Sequence, residues 1–217
     1  MTMSLQQAFA QLPLVAILRG IAPEHCVAVG RMLVEEGFCL IEVPMNSPRP
    51  LLSIERLAGA LGGQVVVGAG TVLTCEQVNE VACAGGRLVV SPNANAQVVQ
   101  ATCASGLYSV PGFATASEAF AMLDAGADAL KLFPAEAFSP QVLKALRAVL
   151  PAEVAVLPVG GIGPAAMAPW RAAGAAGFGL GSALYRPGDD LALIRKRAHE
   201  LVAAWHALLA TAPQRAT

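Results

Sequence analysis

Gly126-Ala-Asp-Ala-Leu-Lys131-Leu-Phe-Pro-Ala-Glu136 opens on a glycine, runs through a short apolar strand carrying a single lysine, and ends in a proline-containing loop. Lysine is rarely buried without a partner, so a Lys between Leu130 and Leu132 requires an explanation. Desolvation favours its neutral amine, which is the nucleophilic form. A helix is expected to start near Ser139, which makes the stretch one beat of strand, loop and helix.

The beat recurs along the chain after a short amphipathic lead-in. Strands are expected at 14–18, 39–43, 65–68, 88–91, 107–110, 129–133, 154–159 and 177–180. Helices are expected to start near Pro23, Pro50, Thr74, Ala94, Thr115, Ser139, Pro164 and Asp189. Thr74-Cys-Glu-Gln77 and Thr115-Ala-Ser-Glu118 resemble capping boxes, while Pro23 and Pro164 suit a first helical turn. Glycines 37, 85, 106, 126 and 174 fall where helices should stop. Eight strands alternating with eight helices, with no linker between them, predict an α/β fold: a single (β/α)8 TIM barrel with a short N-terminal helix, one domain over 1–217. An open doubly wound sheet is the alternative.

The composition excludes several classes. A chain of 217 residues that is 55% hydrophobic fits strands buried on both faces. A formal net charge of -1 offers no basic field for nucleic acid, and no run of like charge would hold a membrane surface. Residues 1–11 lack the basic flank and continuous apolar core of a signal peptide. The five cysteines, at 26, 39, 75, 83 and 103, are scattered without C-x-x-C spacing, which points to a reducing cytoplasm and not to disulfides or zinc. His25, His199 and His206 are isolated in sequence, so neither metal nor cofactor is expected.

Barrel chemistry sits at the C-terminal ends of strands. The polar groups placed there are Arg19, Glu42, Thr71 and Lys131, with glycine-rich turns at Gly160-Gly161 and Gly179-Leu-Gly181-Ser182. Lys131 and Glu42 have two readings: a structural buried ion pair, or a Schiff-base nucleophile beside a carboxylate that moves its protons. Glu42 should share the barrel-facing side with Leu40 and Pro44. Arg19 is either a bridge between loops or a clamp for a substrate carboxylate. Thr71 is either a helix cap or part of a ligand site that its neighbouring glycines let a ligand approach. The paired glycine turns after strands seven and eight suit a phosphate held by backbone N–H groups.

Leu14-Val-Ala-Ile-Leu-Arg19-Gly, Ile41-Glu42-Val-Pro-Met-Asn46-Ser-Pro, Val67-Gly-Ala-Gly-Thr71, Ser91-Pro-Asn93 and Leu130-Lys131-Leu-Phe-Pro-Ala-Glu resemble the 2-keto-3-deoxy-6-phosphogluconate and 6-phosphogalactonate class I aldolases over nearly the whole chain. Asn46 stands where the phosphogluconate enzymes carry an arginine, and Val159 where they carry threonine; both departures resemble the phosphogalactonate branch. Ser139 stands where the family often has glycine.

The resemblance implies cleavage of 2-dehydro-3-deoxy-6-phosphogalactonate to pyruvate and D-glyceraldehyde 3-phosphate, with Lys131 and Glu42 catalytic. Arg19, Thr71, Asn46 and Val159 would contact the keto-acid part, and Gly160, Gly161, Gly181 and Ser182 its phosphate. Together with apolar helix faces it also implies a homotrimer. The C4-epimeric phosphogluconate, a phosphosugar isomerase or epimerase, and a non-catalytic phosphosugar-binding barrel are the competing readings.

Overall fold

The computed structural model describes residues 2–211. Helix α1 (Leu5–Gln11) is started by a capping box in which Gln7 N–H donates to Ser4 Oγ and Ser4 N–H donates to Gln7 Oε1. Strand β1 (Leu14–Ile17) follows, then α2 (Cys26–Glu35), β2 (Leu40–Pro44), α3 (Pro50–Leu61), β3 (Val66–Gly70), α4 (Cys75–Cys83), β4 (Leu88–Val90) and α5 (Ala96–Ala104). The second half holds β5 (Tyr108–Val110), β6 (Gly112–Phe113), α6 (Ala116–Asp124), β7 (Leu130–Leu132), a 3-10 turn (Ala135–Ala137) and α7 (Pro140–Arg147). Strand β8 (Val156–Pro158), α8 (Pro164–Ala172), β9 (Phe178–Leu180) and α9 (Leu191–Thr211) complete it.

All pairing is parallel. Six strands form a curled sheet in the order β5-β4-β3-β2-β1-β9, a half-barrel, and three form a second sheet, β6-β7-β8. The α/β half-barrel is thus formed, and the pairing is interrupted in two places. Pro111 has no N–H to donate and separates β5 from β6, and on the other side only an isolated bridge, Val159 to Gly179, links β8 to β9.

The period of two along each strand sorts the core into layers. Leu14, Ala16, Ile41, Val43, Val67, Val89, Leu130, Leu132 and Val156 face the helices in one large apolar cluster. Val15, Leu40, Val66, Leu88, Val90, Val110 and Leu157 face inward with Leu5 and Ala8 of α1. Arg87 ties the start of α1 down, donating from Nη1 to Met3 O at 2.7 Å with its guanidinium over the Tyr108 ring.

Local chemistry explains most element boundaries. The glycines at 37, 85, 106, 126 and 174 each follow a helix at φ between 70° and 103°, the left-handed stop that only glycine adopts freely. Thr115 and Glu118 form a full capping box, whereas at α4 only the Thr74 half is made, because Gln77 Oε1 accepts from Leu73 N–H instead. Pro23 lies in a turn ahead of α2, whose cap is His25, and so is not in the first helical turn as expected. Ser139 is extended, φ −110° and ψ 160°, so its position makes no demand for glycine. Helix α9 runs to Thr211, and residues 212–217 lie outside the described residues.

Candidate active site

Lys131 and Glu42 both point to the inside of the sheets, from β7 and β2. They are 5% and 1% exposed. Glu42 follows Leu40 on that face, as the alternation requires. No N–O contact of 4.0 Å or less joins the two groups, so the buried ion pair is not formed. The Lys131 amine lies 4.6 Å from the centroid of the Phe133 ring, and Glu42 Oε2 has no hydrogen-bond partner.

Burial acts on both groups in the direction of neutrality. It lowers the Lys131 pKa below its ordinary 10.5, against the opposing pull of Glu42 and with a smaller push from Arg19. It raises the Glu42 pKa above 4.5, against both Lys131 and Arg19. An amine held toward its free base beside a carboxyl held toward its acid is a nucleophile beside a proton donor.

Gly70 makes room for that carboxyl. A Cβ at Gly70 would lie 2.4 Å from Glu42 Oε2, so no side chain fits on this face of β3. The next residue, Thr71, takes a left-handed backbone at φ 57°, unusual for a β-branched residue and a mark of local strain. Thr74, not Thr71, caps α4.

Above these groups, at the C-terminal ends of the strands, lies an open cavity of about 480 Å³. Arg19, Thr71, Gly160, Gly161, Gly181 and Ser182 line it. Arg19 Nη1 donates to Asn46 Oδ1 at 2.7 Å, and Nη2 donates to Thr71 Oγ1 at 3.4 Å. Arg19 thus ties the segment after β1 to two other predicted residues, Asn46 after β2 and Thr71 after β3. Gly160 and Gly161 have φ of 114° and 65° and lead into α8 through its cap Gly163. Ser182 sits in the turn after β9, where Leu184 and Tyr185 N–H groups donate to Gly181 O.

Lys131 and Glu42 do not line this cavity. They border a separate void of only about 10 Å³, which Leu5 and Phe9 of α1 also line. Ile17, Val159 and Gly179 border both spaces. Gly179 is where Val159 is accommodated, since a Cβ there would meet Val159 Cγ2 at 2.6 Å.

The sequence reading missed three contributors. Ser47 is buried and accepts from Gly20 N–H, tying the loop after β2 to the loop after β1. Arg49, also left-handed, pairs with Glu24 across the same two loops. Glu136 enters the open cavity beside the glycine turn, a meeting of distant segments that strand spacing does not reveal. His199, expected to stand alone, has its Nδ1 3.3 Å from Glu36 Oε2. Among the described residues no group of His, Cys, Asp and Glu could hold a metal ion, and no helix is long and apolar enough to cross a membrane.

A lysine strand, an inward glutamate and two glycine turns at the strand ends define a class, and the family model for KDPG and KHG aldolases matches residues 5–197. The chain belongs to this family of carbon–carbon lyases. It is 46% identical to 2-dehydro-3-deoxy-6-phosphogalactonate aldolase of Escherichia coli over 90% of this chain and 95% of that one. A solved structure described as native KDPGal superposes with a TM-score of 0.91 at 43% identity, covering 97% of this chain and 100% of that one. A KDPG aldolase of Legionella pneumophila, solved with pyruvate captured as a covalent carbinolamine, superposes with a TM-score of 0.76 at 26% identity, covering 93% and 96%.

Proposed function

We propose that this chain is a class I aldolase that cleaves 2-dehydro-3-deoxy-6-phosphogalactonate to pyruvate and D-glyceraldehyde 3-phosphate. The observation that carries the reading is Lys131: a buried amine without an ion-pair partner, pushed toward its nucleophilic form, in a family with a carbinolamine-forming member. The phosphogalactonate branch is supported by Asn46, Val159 and the 46% identity to that enzyme.

Lys131 Nζ attacks the C2 ketone, and Glu42 delivers the proton that lets the carbinolamine lose water as a protonated imine. The imine draws electrons from the C3–C4 bond once Glu42, now a carboxylate, removes the C4 hydroxyl proton. That bond breaks, the aldehyde forms at C4, and an enamine remains on Lys131. Protonation at C3 and addition of water to the imine free pyruvate and restore the amine. Arg19, held by Asn46 and Thr71, takes the substrate carboxylate, while Gly160, Gly161, Gly181 and Ser182 take the phosphate. Holding both ends aligns the bond that breaks. Val159 packs beside the reacting carbons from the boundary between the two spaces.

The same proposal extends to architecture. The two sheets act as one closed eight-stranded barrel in a single domain over 1–217, with β5 and β6 as one strand bent at Pro111 and closure at the Val159–Gly179 bridge. Exposed Leu73, Phe120, Val142 and Val149 support a homotrimer. The five free cysteines support a cytoplasmic location.

The test is pyruvate release from the two C4-epimeric substrates, followed through lactate dehydrogenase, with borohydride trapping of pyruvate in parallel. Wild type should release pyruvate faster from the galactonate epimer and gain the mass of a reduced pyruvate adduct on Lys131. Lys131→Ala should do neither, and Glu42→Gln should lose kcat with a smaller change in KM. Product formation without pyruvate would instead make it an isomerase or epimerase, and trapping that survives Lys131→Ala would place the Schiff base elsewhere.

A further inference from the structure

Among the described residues, Glu136 and Arg19 are the only charged side chains lining the open cavity. Arg19 is committed to Asn46 and Thr71. Glu136 is carried by the 3-10 turn after β7, which is pinned to β8 where Ala135 N–H donates to Val159 O at 2.9 Å. Its side chain lies directly on the glycine turn. A Cβ at Gly160 would be 2.6 Å from Glu136 Oε2, and a Cβ at Gly161 would be 2.6 Å from Glu136 Cγ. Among the described residues the carboxylate has neither a hydrogen bond nor an ion pair.

An exposed carboxylate needs no partner, but its place is unusual. The turn it touches offers N–H groups and the start of α8 to an anion; Arg19 is the one cation in the cavity's described lining, and Arg186 Nε is held at 3.1 Å by the Ser182 carbonyl. A phosphomonoester bound there would carry up to two negative charges next to a third. We propose that Glu136 is a specificity-determining residue that weakens anion binding at the Gly160–Gly161 turn, so that a phosphorylated fragment is gripped by geometry yet released readily. The inference rests on the phosphate end assigned under the proposed function. It assigns to Glu136 an opposing role that neither the glycine turn nor Arg19 supplies.

Glu136→Gln keeps the shape that packs on both glycines and removes only the charge. Calorimetric titration with inorganic phosphate should give binding roughly 3- to 10-fold tighter in the variant at low salt, the size expected for one partly screened like charge. The gain should shrink at about 1 M salt, where the screening length falls to roughly 3 Å. It should also be larger for sulfate, a dianion, than for formate. Equal or weaker phosphate binding by the variant, absence of phosphate binding in both proteins, or a gain independent of salt and anion charge would overturn the proposal and leave Glu136 as a brace for the turn. Pyruvate trapping by the wild-type chain tests the aldolase reading separately, since it needs no phosphate.

Discussion

Replacing Gly70 with alanine probes how tightly the layer around Glu42 is fitted. The new Cβ would sit 2.4 Å from Glu42 Oε2, 2.6 Å from Cδ and 2.8 Å from Oε1, where an ordinary contact begins at 3.4 Å. The backbone of β3 cannot yield, because Gly70 pairs with Pro44 and its carbonyl accepts from Met45 N–H at 2.7 Å. The carboxylate must therefore move by about 1 Å, a misplacement that typically lowers turnover by about 100-fold. Overpacking at this buried site should lower stability by about 1–3 kcal/mol, or about 2–4 °C in Tm for each kcal/mol in a chain of this size. Pyruvate release measures the first effect and thermal unfolding the second. A double variant with Glu42→Asp, whose side chain is shorter by about 1.5 Å, should turn over faster than Gly70→Ala alone. A folded Gly70→Ala enzyme with wild-type kcat would refute the claim that the placement of Glu42 sets the rate.

Lys131→Met should gain stability at neutral pH, by about 1 kcal/mol or more, because it removes a buried amine that lacks an ion-pair partner. The sign of the pH dependence follows from the lowered pKa: between the folded value and 10.5 the unfolded chain binds a proton that the native state does not, so wild-type stability rises with pH across that window. The variant should lose this rise in a series of urea titrations, and an unchanged slope would contradict the assignment. Arg19→Ala should raise KM by about 10- to 100-fold with a smaller effect on kcat, the loss expected for charge-assisted hydrogen bonds, and steady-state kinetics showing an unaltered KM would remove Arg19 from the carboxylate end.

Much of this was legible before any coordinates. The five glycine stops and the eight apolar runs could be read because backbone conformation at a helix end and inward-outward alternation are local properties. Lys131 stood out for the same reason, as a charge in an apolar run. What could not be read depends on segments that meet only in three dimensions. The choice between ion pair and free amine for Lys131 and Glu42 turned on a separation between strands, and the need for glycine at position 70 turned on a side chain from β2. Pro111 was visible, but whether it would bend a strand or end one depended on the neighbouring pairing. Gln77 Oε1 accepts from Leu73 N–H and not from the cap residue Thr74, a choice that the capping-box pattern does not resolve.

Leu5 and Phe9 of α1 border the small inner void that Lys131 and Glu42 share, and none of the four reaches the open cavity. Under the proposed chemistry this imposes a sequence on events. The fragment bonded to Lys131 lies at the inner void and the phosphorylated fragment in the open cavity, so the aldehyde leaves before pyruvate can. In the synthetic direction pyruvate must enter first and be bonded before the aldehyde arrives. The bond to Lys131 in the inner void, with the phosphate turns in the open cavity, thereby makes the proposed cleavage an ordered kinetic scheme.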